Sequence, residues 1–503
     1  MAPRVVAIIA GLALALLTLG PVAAVLARAN GLAALGAGDY QAIRFTLWQA
    51  FLSAGTSVLL AVPLARALAR QNFRGRGLLI SLLGAPFILP VIVAILGLLA
   101  VFGQSGILNQ LLGAIGLPKL DVYGLHGVVL AHVFFNLPLA TRMLLQAWLA
   151  IPDERFRLAA SLGLGRWAYF KILEWPLVVR ILPGAFAIIF VICLTSFAVA
   201  LTLGGGPRAT TVELAIYQAM RFDFDLGRAA ALGLVQLALG LGAGVVALRV
   251  SLGQGFGIGR GRVVPRWDSR GRKALDTLVI LAAAAFLLVP LGMVILRGLP
   301  GLPMLSGGTL QAALHSIGVA LVSTALCLLW ALPLATRRGE LLSLCAISVS
   351  SLVLGTGLFL MLRPFVNPFA MALPVTALVN ALMALPFALR ILRPEAEALT
   401  QDFGRLRATL RMTPLAWFRL VYLPRLRRPL GFAAGLTAAL AMGDLGVIAL
   451  FADPDRTTLP LQVYRLMGSY QMEEAAGAAL LLLMLSFALF WIFDRGGRAN
   501  ATS

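Results

Sequence analysis

The chain has 503 residues, 60% hydrophobic and only 12% charged, with a mean hydropathy of +0.94, whereas soluble domains run near half apolar and about a quarter charged. Its net charge of +21 does not mark a nucleic-acid binder, which needs a solvated Lys/Arg face; here the basic residues fall in short segments between apolar runs. Cys193, Cys327 and Cys345 lie inside apolar runs without CxxC or histidine spacing, which argues against a disulfide framework or a zinc site.

In chain order, the apolar stretch that follows Arg4 and runs over 5–26 is longer than a signal-peptide core and reads as a retained first span. Apolar runs near 5–27, 45–65, 78–102, 124–149, 182–204, 230–248, 277–296, 312–335, 341–362, 371–392, 431–452 and 475–493 predict about twelve transmembrane helices. Each run can cross about 30 Å of hydrocarbon as a helix, and a helix satisfies its own backbone there. With a cytoplasmic N-terminus, 31 of the 41 Lys and Arg residues fall on inner segments. That is a strong positive-inside bias, and it places both termini in the cytoplasm of a multi-pass inner-membrane protein.

The sequence repeats. A shift of 248 residues aligns Pro138 with Pro386, Arg142 with Arg390, Phe170 with Phe418, Pro176 with Pro424 and Arg208 with Arg456. Nearer each half's start the offset is 270, so that Val62-Pro63-Leu64-Ala65 meets Leu332-Pro333-Leu334-Ala335. The difference of 22 residues predicts a longer outer loop in the first half, around 103–127. Six spans per repeat is an even number, so the halves enter the membrane in the same direction. The expected fold is all-α integral membrane: a first transmembrane domain at 1–250, a basic cytoplasmic linker at 251–274 and a second transmembrane domain at 275–503.

The similarity centres on the inner segment between the fourth and fifth spans of each half. In the first copy, 152–183 reads PDERFRLAASLGLGRWAYFKILEWPLVVRILP. A short helix, a glycine and a proline thirteen residues later resemble the EAA loop of ABC-transporter permeases, with Gly163 and Pro176 at the anchor positions. Gly163 suits a turn with positive φ, and Pro176 is expected to end the approach to the fifth span. Leu158, Ala159 and Leu162 give the short helix an apolar face, and Arg155 and Arg157 a basic one. The second copy departs further: Arg405, Leu406 and Arg407 stand at the EAA positions and Arg411 replaces the glycine, while Pro424 is kept. The resemblance implies that each loop seats a coupling helix in a cytoplasmic ABC ATPase subunit, expected in two copies. It also implies delivery of substrate by a periplasmic binding protein.

Four further stretches are similar to the permeases of bacterial thiamine/thiamine-pyrophosphate importers: FTLWQAFLSA at 45–54, LAHVFFNLPLATRMLLQAW at 130–148, SFAVALTLGGGPRATTVELAIYQA at 196–219 and MGDLGVIALFADPDRTTLPLQVYRLMGSY at 442–470. The resemblance implies an inner-membrane importer of thiamine and its phosphates, with a periplasmic thiamine-binding protein as partner. Ferric-iron permeases share the fused architecture and are the alternative. A proton-coupled carrier would need several intramembrane carboxylates or histidines, and only Asp444 is well placed.

No GxxxxGK[ST] string is present, so ATP hydrolysis is expected in a separate chain. Neither cofactor nor metal is expected, and the partners are membrane lipid and protein, not nucleic acid. Asp444, between Gly443 and Gly446 in the eleventh span, is the sharpest polar signal: it lines a cation path, caps a broken helix or pairs with an outer arginine. Its repeat mate is Ser196. Asn136, just before Pro138, reads first as an interhelical hydrogen bonder, and with Asp444 and Ser196 completes the set of candidate pathway residues. His126, His132 and His315 read as helix-interface residues. A reporter fused after Lys273 tests the topology: it is expected to be cytoplasmic, and a signal from a periplasm-only reporter would invert the second half.

Overall fold

The computed structural model describes residues 2–29, 35–84, 88–251, 270–451, 453 and 456–498, and among them the chain is helical with no strand. The first half contains α1 (Ala2–Arg28), α2 (Ala37–Arg70), α3 (Arg76–Leu82), α4 (Val91–Phe102), α5 (Ile107–Ala114), α6 (Leu125–Leu149), α7 (Asp153–Ser161), α8 (Arg166–Tyr169), α9 (Trp175–Leu194), α10 (Phe197–Leu203), α11 (Val212–Arg221) and α12 (Leu226–Ser251). The second contains α13 (Arg270–Gly301), α14 (Gly307–Leu334), α15 (Arg337–Ser348), α16 (Ser351–Leu362), α17 (Ala372–Thr409), α18 (Pro414–Trp417), α19 (Leu423–Met442), α20 (Gly446–Leu450), α21 (Leu459–Gly468) and α22 (Met472–Arg498). Most of the expected linker, 252–269, lies outside the described residues.

Eleven helical stretches among the described residues are long and apolar enough to cross a membrane, and six spans per half account for the pattern once two of them are recognised as composite. The third span of each half is not one helix. The run at 78–102 is divided between α3 and α4, and the run at 341–362 between α15 and α16. Pro90 has no N–H to continue a helix and sits at the N-cap of α4. Ser350 opens α16 by accepting the Val353 N–H at 3.2 Å. The twelve residues of α16 are too few to span alone, which is why eleven long helices stand where twelve runs are predicted.

The fifth spans are broken too. The run at 182–204 is α9 followed by α10, separated at Thr195–Ser196, and the run at 431–452 is α19 followed by α20, separated at Gly443, Asp444 and Leu445. The fourth spans differ between the halves. α6 stops at Leu149, ahead of Pro152, whereas α17 runs for 38 residues through Pro386 and Pro394 far beyond the membrane. The longer outer loop of the first half is folded: Asn109 of α5 donates to the carbonyls of Gly103 and Leu120, each at 2.9 Å, and accepts the Leu120 N–H at 2.8 Å.

The halves exchange their first helices. α1 packs on α16 and α13 packs on α4. Both crossings depend on a glycine: a Cβ at Gly97 would lie 2.5 Å from the Pro290 carbonyl oxygen, and one at Gly357 would lie 2.3 Å from that of Pro21. Small residues let helix backbones approach this closely in lipid, where dispersion replaces the hydrophobic drive between helices. Hydroxyls tie α2 and α14 to the outer loops in a matched way, Thr46 accepting the Val212 N–H at 2.9 Å and Ser316 the Leu459 N–H at 2.7 Å.

Gly97→Ala and Gly357→Ala are each expected to destabilise the purified protein by about 1–3 kcal/mol, because the atom met is backbone and cannot turn aside. Gly113→Ala, where nothing lies within 4 Å of the new Cβ, is expected to leave the apparent Tm unchanged or raised.

Candidate functional site

A broken helix at membrane depth exposes backbone groups that lipid cannot satisfy, so the protein must satisfy them itself. At the end of α9 the carbonyl of Cys193 accepts from Gln49 Nε2 of α2 at 2.9 Å, and that of Leu194 from Gln236 Nε2 of α12 at 3.0 Å. At the end of α19, Asn380 Nδ2 of α17 reaches the Ala441 carbonyl at 3.4 Å. Across the next turn, Asp444 Oδ1 accepts the Gly446 N–H at 3.3 Å. Asp444 therefore caps a broken helix, one of the three roles its sequence allows. Its other oxygen, Oδ2, is buried and has no partner among the described residues.

The breaks surround a cavity of about 440 Å³ between the halves, lined among others by Pro90, His132, Asn136, Ser196, Asn380 and Asp444. All three pathway candidates thus share one space. Asn136 donates to the His132 carbonyl of its own helix at 2.9 Å and to Cys193 Sγ across the interface at 3.4 Å. His132 Nδ1 meets Ser53 Oγ at 3.0 Å, while Nε2 has no partner among the described residues. His132 and Asn380 are repeat mates at the 248-residue shift, so the wall is polar on both sides but charged only at Asp444. His315 instead ties α14 to the outer loop, its Nδ1 3.1 Å from the Thr457 carbonyl oxygen.

Sequence reasoning missed Glu213. It is 1% exposed, on α11, with Ser350 and Gln236 beside its carboxylate. The signal was present as a lone carboxylate in the otherwise apolar turn VELA. Gln49 and Gln236, each a single amide in an apolar run, were legible in the same way. α11 and α21 start against α2 and α14, at Thr46 and Ser316. Tyr217 lies edge-on to Phe197 at 5.3 Å and Phe222 at 5.7 Å. Burial, reinforced by the neighbouring charge of Arg221, pushes the Arg465 guanidinium below its ordinary pKa. Among the described residues no three His, Cys, Asp or Glu side chains converge to hold a metal.

The inner loops carry a matched irregularity. α8 passes into α9 through a π-helical turn at Phe170–Glu174, and α18 passes into α19 through one at Phe418–Tyr422. Pro176 and Pro424 follow each turn at equivalent positions. Proline lacks the N–H for an i−4 bond and crowds that carbonyl, and the wider π turn accommodates both effects. The prolines therefore reshape a continuous helix and do not end it, contrary to the sequence expectation. Gly163 has φ +60 and Arg411, its mate, has φ +47. The left-handed turn is kept even where glycine is lost.

Leu158, Ala159 and Leu162, expected to give the short helix an apolar face, are divided between exposed and buried positions. Ala159 turns inward with Phe156, while Leu158 and Leu162 are 60% and 65% exposed beside the exposed Arg157. Phe156 stacks on Tyr169 at 5.9 Å, and the buried Glu174 accepts from Arg66 Nε at 2.7 Å, which anchors the loop to α2. In the second copy Arg405 and Leu406 are exposed on the extended end of α17, and Arg407 lies over the Trp417 ring at 5.2 Å.

No family model matches the chain. Curated proteins do. The thiamine transport system permease protein of Brucella abortus (strain 2308) is 38% identical over 479 residues, covering 92% of this chain and 88% of that protein. The protein of the same description from Escherichia coli (strain K12) is 40% identical over 478 residues, covering 91% and 89%. The molybdenum transport system permease protein of Azotobacter vinelandii is 31% identical over 178 residues, 35% of this chain and 78% of that protein.

Asp444→Ala, which removes the cap, is expected to cost about 1 kcal/mol of stability. Asp444→Asn keeps an Oδ1 acceptor for Gly446 and is expected to leave the apparent Tm within a degree or two of the parent. Thermal unfolding of the purified protein checks both.

Proposed function

The chain belongs to the thiamine transport system permease family, and from that premise we propose that it carries thiamine through the cavity between its halves, with Asp444 as the charged contact. It is the non-catalytic translocation subunit of an ATP-driven importer in the inner membrane. ATP hydrolysis resides in a separate subunit, and a binding protein supplies the substrate. The observation that carries the reading is the unsatisfied Asp444 Oδ2 beside a cavity walled by Ser196 and Asn136. Thiamine has a permanent thiazolium charge. A unit charge about 4 Å from a carboxylate gains about 1 kcal/mol in water and about 4 kcal/mol at an effective dielectric near 20. Asn136 and Ser196 supply further hydrogen-bonding groups to the same cavity.

The positive-inside distribution supports cytoplasmic termini, with α11 and α21 then closing the periplasmic end. The loops at 152–183 and around 405–424 dock two copies of the ATPase: Arg157, Leu158, Ala159, Gly163 and Pro176 shape one contact, and Arg405, Leu406, Arg407, Arg411 and Pro424 the other. Their exposed leucines and arginines, each beside a left-handed residue, support this assignment. The first loop is a separate short helix and the second an extension of α17, so the two docking sites are unequal in stiffness.

Asp444→Asn is expected to lower thiamine uptake per assembled complex at least about tenfold, while a neutral analogue is spared. Equal losses for both substrates would remove charge recognition from Asp444. Gly163→Val places a β-branched residue at φ +60 in open space, a local cost of about 1–2 kcal/mol. Membrane insertion should survive, and thiamine-stimulated ATP hydrolysis should fall to the basal rate.

A further inference from the structure

We propose that the first half carries a binding site for one anionic phospholipid on its outer lateral face, a site the second half lacks. Tyr40, Arg44, Trp48 and Phe51 follow one another along one face of α2, with Trp48 and Phe51 stacked at 6.4 Å. They line a groove of about 890 Å³ that Phe190 of α9 and Arg208 of the outer loop complete. Arg44 and Arg208 are both exposed, and neither has an ion pair or hydrogen bond among the described residues. Through Leu47 and Phe190 the groove continues into a second one of about 810 Å³, walled by apolar residues of α2, α9 and α12. Two guanidiniums at one end and a long apolar trough behind them match a phosphodiester headgroup and its acyl chain. Guanidinium forks pair with phosphate oxygens, and aromatic rings sit at headgroup depth.

The repeat supplies an internal comparison. At the offset of 270, Tyr40, Arg44, Trp48 and Phe51 become Leu310, Leu314, Gly318 and Leu321. At the offset of 248, Phe190 becomes Ala438, and the mate of Arg208, Arg456, donates instead to the Ala370 carbonyl. An aromatic belt serving lipid in general has no reason to appear in only one half. Nor does it need two arginines on the outer side, against the positive-inside trend. The choice of leaflet rests on the proposed orientation; the site itself does not.

The test uses the complex with its ATPase subunits in nanodiscs of phosphatidylcholine, titrated with chain-brominated phosphatidylglycerol or chain-brominated phosphatidylcholine. Trp48 emission is isolated by subtracting the Trp48→Phe complex. The expected result is quenching by the anionic lipid at about tenfold lower mole fraction than by the zwitterionic one. That preference should vanish in Arg44→Leu/Arg208→Gln and persist in Arg44→Lys, with ATP hydrolysis by the variants reporting intact assembly. Equal quenching by the two lipids, or a preference unchanged in the double variant, would mean ordinary annular lipid and overturn the proposal. Loss of the preference on adding millimolar inorganic phosphate, with ionic strength held constant so that screening is unchanged, would assign the arginines to a soluble anion and overturn it as well.

Discussion

Every backbone polar group inside a bilayer must be satisfied by the protein itself, and this constraint decides where the chain can be irregular. Among the described residues the apolar spans are interrupted before Pro90, before Ser351, at Ser196 and at Asp444. All four positions line the same cavity. Each interruption leaves orphan carbonyls or N–H groups, and the polar side chains of the surrounding helices are there to meet them: Gln49 and Gln236 for α9, Asn380 for α19, and Asp444 for α20. Ser196, Asn380 and Asp444 bring polarity from the breaks to the cavity wall and His132 and Asn136 of α6 add to it, with Asp444 Oδ2 and His132 Nε2 left without a partner among the described residues.

The second organising feature is a duplication that has been kept where packing demands it. The reciprocal crossings of α1 on α16 and α13 on α4, with Gly357 on Pro21 and Gly97 on Pro290, are equivalent down to a glycine facing a carbonyl. The π turns ahead of Pro176 and Pro424 are equally matched. Divergence appears where a group contacts something other than the fold: Ser196 against Asp444, Gly163 against Arg411, and the aromatic and basic face of α2 against the leucines of α14. On the roles proposed above, a cation, an ATPase surface and a lipid would each place an asymmetric demand on a symmetric scaffold.

Much of this was legible in the chain. Hydropathy located the spans because lipid imposes a single simple criterion on all of them. The 248-residue register located the inner loops because Gly163, Pro176 and Pro424 hold fixed spacing. The break at Thr195-Ser196 was not legible, because it sits within an apolar run, whereas Gly443 and Asp444 left a broken helix open as one of three readings. Pro176 was misread as a terminator because a proline inside a helix can be absorbed by a π turn, and nothing local in the sequence distinguishes the two outcomes. Glu213 escaped notice because a single carboxylate at the start of an amphipathic helix usually faces solvent, whereas here Ser350 of the other half stands beside it.

On the proposed function, the space between the broken helices is the route of a cation. Ser196→Cys in the assembled importer tests it most directly, with a membrane-impermeant cationic thiol reagent added from the periplasmic side. Cys193 and Cys327 are buried and give little background, and Cys345 is first replaced by Ser in the parent. The account predicts that Cys at 196 is labelled only when ATP-bound subunits open the periplasmic end, and that thiamine protects it. Labelling at the same rate with and without nucleotide, or indifferent to saturating thiamine, would contradict it.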